Sequence, residues 1–178
     1  QALFASETCT YTTQEHQVDV DIALPEDTRT LALVVDDAGD GFSYDHGDWS
    51  NPTLGMEDGT EVPLTGSMLK EKFTQSFYNV VRENENVTAT GKMSVMGVKY
   101  DRGFSSDANA LMIFSLPEGV VGFKAVAALD DSGVGQDGAT TSIKFYVFGC
   151  DPRLTDDNAV KTMAHTVDLT QLGYGKDQ

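Results

Sequence analysis

The stretch Val18-Asp19-Val20-Asp21-Ile22-Ala23-Leu24 alternates apolar residues with acidic or small ones. Successive side chains of a β-strand point to opposite faces, so Val18, Val20, Ile22 and Leu24 share one face and Asp19 and Asp21 lie on the other. The first face suits a core and the second suits water. Outward from this strand the pattern changes while the element type does not. TLALVV (Thr30 to Val35) is continuously apolar, as expected of a strand buried on both sides. ALMIFSL (Ala110 to Leu116), FKAVAAL (Phe123 to Leu129) and SIKFYVFG (Ser142 to Gly149) read the same way. In the last of these, Phe145 and Val147 fall on one face and Lys144 and Tyr146 on the other.

Turn chemistry punctuates these runs. Pro25-Glu26-Asp27 and Pro117-Glu118-Gly119 are tight connections, and Asp130-Asp131-Ser132-Gly133 opens a polar loop that lasts to Asp137-Gly138. Leu69 to Arg82 is mixed, because Thr74, Phe77, Tyr78, Val80 and Val81 favour strand within a stretch of some helical propensity. Several short strands with such breaks and little helix predict an all-β fold, an antiparallel β-sandwich.

The chain has 178 residues, enough for one domain with a sizeable core. Its 12 basic and 28 acidic side chains give a formal net charge of −16. A phosphate backbone or an anionic membrane surface is repelled by that field, so nucleic acid and membranes are poor partners. No stretch approaches the roughly 18 apolar residues of a membrane span. Neutral ligands and cations are compatible with the charge, which also reads simply as a solvated surface. Cys9 and Cys150 are too few for a disulfide framework or a zinc site, although one disulfide is possible in an oxidising compartment. His16, His46 and His165 are far apart in sequence, which argues against a His-rich metal centre. The chain opens on QALFASETC without a signal-peptide pattern and ends without a clear cap, so excision from a longer chain is expected.

Asp36 to Trp49 (DDAGDGFSYDHGDW) carries the most chemistry. Gly39, Gly41 and Gly47 permit positive φ and close backbone approach. Asp37, Asp40 and Asp45 supply the carboxylate oxygens that calcium prefers. The segment is not an EF-hand loop: counted from Asp36, the third position is Ala38 and the twelfth is Gly47. Asp45, His46, Asp48 and Trp49 together offer polar groups for sugar hydroxyls and an aromatic face for sugar C–H groups. The same residues equally describe a structured turn whose aspartates cap backbone amides while Trp49 fills the core.

VVDDAGDGFSYDHGDW (34–49) resembles the segment that ends the NPCBM module, a family of carbohydrate-binding modules found in glycoside hydrolases. GVKYDRGFSSDANALMIFSLPEGVVGFKAVAALDD (97–131) resembles the first half of that module, and SIKFYVFG its following strand. The resemblance implies a jelly-roll sandwich like the galactose-binding domains, galactose-type ligands, a structural calcium ion and a non-catalytic role beside a catalytic glycosidase domain. It implies Asp107 as a further carbohydrate contact, while Asp130, which follows a buried strand and is expected beside the Asp36 to Trp49 loop, reads equally as a carbohydrate contact or as a loop cap. Asp107 stands where the family commonly has histidine, which changes what that position can donate. The blocks occur out of the usual order. A circular permutation fits, and so does the end of one module joined to the start of another. Permutation predicts that Leu3 to Ser6 pairs antiparallel with Ser142 to Gly149. The expected module covers residues 1–150, and TVDLTQLGYGKDQ in the tail 151–178 resembles a C-terminal strand of family 27 glycoside hydrolases.

The leading expectation is therefore a monomeric, secreted, periplasmic or cell-surface glycan-binding module. The alternative is a structural sandwich that packs on the catalytic domain without binding sugar. An independent glycosidase is disfavoured, because carboxylates are abundant but no nucleophile–base motif is present.

Overall fold

A computed structural model describes residues 2–13, 16–39, 44–74 and 80–154. The strands in chain order are β1 (Phe4–Ala5), β2 (Cys9–Thr10), β3 (Gln17–Ala23), β4 (Thr30–Asp36), β5 (His46–Met56), β6 (Glu61–Pro63) and β7 (Leu69–Thr74). They continue as β8 (Val81–Glu83), β9 (Met93–Val95), β10 (Val98–Tyr100), β11 (Gly103–Asp107), β12 (Ala110–Ser115), β13 (Val120–Leu129) and β14 (Ser142–Phe148). Among the described residues one short α-helix, α1, spans Asp131–Val134. The mixed stretch at 69–82 forms strand at both described ends. The strand expected in the tail lies outside the described residues.

Two antiparallel sheets make a sandwich. The first runs β1-β14-β4-β12-β7 with β2 also on β14, and the second runs β3-β13-β5-β11-β8 with β6 on β5. Hairpin β9–β10 stands apart as a two-stranded ribbon. The core is the interdigitation of the inward faces: Leu31, Leu33, Val35, Phe114, Phe145 and Val147 meet Val20, Trp49, Leu54, Phe104, Phe123 and Ala127. Each fully buried side chain of this size stabilises by about 1.5–3 kcal/mol. Val20 is inward while Asp19 and Asp21 are exposed, as the alternation requires.

The continuous apolar run in β4 has its reason here. Leu31, Leu33 and Val35 face the main core, while Ala32 and Val34 join Leu111, Ile113, Tyr146 and Phe148 in a second buried cluster on the opposite face of the first sheet. Phe145 and Tyr146 accordingly point to opposite sides of β14. β1 pairs antiparallel with β14, Phe4 opposite Val147 and Ala5 opposite Tyr146, the pairing expected for Leu3 to Ser6. Cys9 is buried and Cys150 is exposed. Among the described residues no helix is long and apolar enough to cross a membrane.

Candidate functional site

β5 lies between β11 and β13, so every residue of His-Gly-Asp-Trp has neighbours on both sides. Trp49 faces the core, which sends His46, Asp48 and Ser50 to the outer face of the second sheet. The register sets His46 opposite Asp107 and Asp48 opposite Ser105 on β11. On the other flank, Asp48 sits opposite Ala128 of β13. Gly47 is required by proximity rather than by a positive φ. A Cβ there would lie 2.7 Å from Val35 Cγ1 and 3.4 Å from both Ile143 and Phe145. Gly39 does take a positive φ, +87°, and its amide donates to Asp37 Oδ1 at 2.8 Å in an aspartate-closed turn. Gly41 lies outside the described residues.

This end of the outer face is covered. Residues 84–91 and the β9–β10 hairpin lie over it, with Asn86, Val87, Met93 and Val95 buried. Ser105 Oγ donates to the Glu85 carbonyl at 2.6 Å. The chain leaving β13 holds the hairpin down. Asp130 Oδ2 accepts from the Ser94 amide at 3.1 Å, and its Oδ1 caps α1 by accepting from the Ser132 amide at 2.9 Å. Asp131 accepts from Ser94 Oγ (2.7 Å), the Met96 amide (2.9 Å) and the Gly97 amide (3.0 Å). The polar loop expected at 130–138 thus begins as a capped helical turn that clamps a neighbouring hairpin.

The enclosed electrostatics follow from this cover. Burial pushes the Asp48 carboxyl well up, and the neighbouring carboxylates of Asp130 and Asp131 add to the effect. Burial raises Asp107 to about 7, and its Oδ1 meets no hydrogen-bond donor. Burial lowers His46, against the pull of Asp130, so the ring is neutral, with Nδ1 2.9 Å from Ser132 Oγ. At the end of β4, burial and then the Asp37 charge raise Asp36 to about 7.

The structure therefore brings His46, Asp48, Asp107 and Asp130 together, but not at the surface. With Asp45 and Trp49 they are at most 3% exposed. Trp49 is no sugar platform: it is fully buried, edge-on to Phe145 at 5.3 Å and tilted against Phe123 at 6.3 Å. The reason is strand parity, since the residue that fills the sandwich at this point of β5 must face inward. Of the expected calcium donors, Asp40 lies outside the described residues. Asp37 Oδ2 accepts from Asn109 Nδ2 at 3.2 Å, and Asp45 Oδ1 accepts from the Ser142 amide at 2.9 Å. Among the described residues no group of three or more His, Cys, Asp or Glu is placed to hold a metal ion.

Sequence reasoning missed Ser94, Asn109 and Ser132, single polar residues whose partners are 36 or more positions away. It also missed what is open. A groove of about 680 Å³ lies between the Pro25–Thr30 turn, Lys70, Glu71 and Gly149–Asp151. A second, of about 320 Å³, lies on the outer face of the second sheet, along Asp19, Asp21, Asn51, Thr53, Glu61 and Lys124.

The family model described as the NPCBM/NEW2 domain matches residues 1–55 and 63–171, most of the chain. No curated protein matches the chain significantly. No solved structure does so either.

Proposed function

The chain belongs to the NPCBM/NEW2 domain family, and from that premise we propose that it is the non-catalytic carbohydrate-binding module of a secreted glycoside hydrolase. It holds galactose-type glycans near a catalytic domain and so raises the effective concentration of substrate there. The family match over residues 1–55 and 63–171 is the observation that carries this reading. The all-β sandwich is consistent with it, and the net charge of −16 favours neutral glycans over anionic ones. The antiparallel pairing of β1 with β14 supports a circular permutation of the module. A structural calcium ion belongs to this proposal on the resemblance alone. Its expected donors are Asp37, Asp40 and Asp45, of which Asp37 and Asp45 accept hydrogen bonds from protein groups.

A glycan array probed with the isolated chain tests the proposal. Retention of terminal galactosides is the expected result. Failure to retain any glycan would favour the second reading, a sandwich that only packs on its neighbouring catalytic domain. The burial of Asp45, His46, Asp48 and Trp49 is the observation on that side.

A further inference from the structure

We propose that the open face of the second sheet carries a subsite for one neutral hexopyranose unit, in the groove formed by Asp21, Lys124, Thr53, Asn51 and Glu61. This rests on the glycan-binding reading and gives it a location distinct from the buried acidic segment.

Strand register builds the groove. Asp21 of β3 lies opposite Lys124 of β13, which lies opposite Thr53 of β5, so these outward side chains form one row. Asp19 and Val126 begin the next row. Between the rows the β13–β5 ladder shifts register, and Asn51 takes a left-handed φ of +50°. A bulge re-aims a side chain at some cost in backbone strain. The surrounding bonds hold this one in place. The Asn51 amide donates to the Arg102 carbonyl at 2.9 Å. The Arg102 guanidinium donates to the Pro52 carbonyl and, at 2.9 Å, to Thr53 Oγ1. Thr53 Oγ1 donates to the Asn51 carbonyl at 2.9 Å. The exposed carboxamide of Asn51 is thus presented on a fixed backbone.

The chemistry suits a sugar. The Asp19 and Asp21 carboxylates accept from hydroxyls, and Asn51 both donates and accepts. Lys124, now 3.2 Å from Glu61, has further N–H groups to donate. Half-buried Val126 gives an apolar patch for a ring's C–H face. At about 320 Å³ the groove suits a single ring rather than a long chain. Asp19, Asp21 and Glu61 outnumber Lys124 there, so a uronic acid is repelled.

Calorimetric titration of the full chain with methyl β-D-galactopyranoside, and separately with sodium glucuronate, tests the subsite. The variants are Asn51→Ala and Asp21→Ala, both at exposed positions, with Lys70→Ala in the other groove as control. Circular dichroism checks that each variant is folded. The expected result is binding of the galactoside, about tenfold weaker in Asn51→Ala and Asp21→Ala. Lys70→Ala should match the unmodified chain, and glucuronate should give no binding heat. Equal galactoside affinity in all four proteins overturns the subsite while leaving the glycan-binding reading intact. A chain that retains no glycan on an array and takes up no galactoside overturns both.

Discussion

The indole of Trp49 meets the ring of Phe145 edge-on, with centroids 5.3 Å apart and planes at 82°, across the gap between the two sheets. The most informative aromatic of the sequence is therefore a bolt through the sandwich. Edge-to-face contact of this kind adds about 0.5–1.5 kcal/mol to the area buried. Trp49→Ala should cost about 3–5 kcal/mol in urea unfolding. Trp49 is the only tryptophan, so native fluorescence reports on it alone. Its emission should be blue-shifted and resist acrylamide quenching, whereas strong quenching of the folded protein would place the ring at the surface.

Buried carboxyls set the pH dependence. Asp36 and Asp107 are raised to about 7 from 3.8, and Asp48 is raised well above 3.8. Each binds a proton in the folded state more tightly than in the unfolded one. Their stabilising contribution is full below the unfolded value and is lost as pH rises through the folded value. His46, lowered from 6.5, works the other way, costing stability as pH falls below 6.5. The three carboxyls outweigh the one imidazole, so the urea midpoint should be higher at pH 5 than at pH 8, by about 2–5 kcal/mol in stability. A midpoint that rises with pH across this window would contradict the burial of these groups. Asp107→Asn should flatten the dependence.

Gly47→Ala should destabilise by about 1–3 kcal/mol, because the added methyl group would meet Val35 Cγ1 at 2.7 Å with Ile143 and Phe145 close behind. Gly39→Ala meets no neighbouring atom, so its cost comes from the left-handed φ of +87° alone. Thermal melts of the two variants separate crowding from backbone strain. Rescue of Gly47→Ala by Val35→Ala would identify the contact.

Asp131→Ala removes the acceptor of three hydrogen bonds from the β9–β10 hairpin. The Met96 and Gly97 amides should lose hydrogen-exchange protection, with about 1–3 kcal/mol lost overall. The amides of β4 and β12 should exchange as before. Uniform loss of protection would mean that the hairpin is integral to the sandwich rather than clamped onto it.

The strands were readable because their information is local. Alternation at Val18 to Leu24 and the apolar run at Thr30 to Val35 each specify a face without reference to the rest of the chain. The acidic segment was readable as a family feature but not as a surface or a core. The parity that turns Trp49 inward is set by the register of β5 between β11 and β13, which local pattern does not contain. The clamp on the hairpin was hidden for the same reason: Ser94 and Asp131 are 37 positions apart and are ordinary polar residues until the fold joins them. The bulge at Asn51-Pro52 had a faint signal in its turn-like dipeptide. The groove beside it depends on three strands in register and had none.

The most direct measurement of the central claim is a titration of the chain with lactose, followed by backbone amide chemical shifts. The account predicts saturable shifts on the outer face of the second sheet, near Asn51, Thr53 and Lys124, with the Trp49 indole resonance unmoved. No saturable shift at any residue would contradict a carbohydrate-binding role.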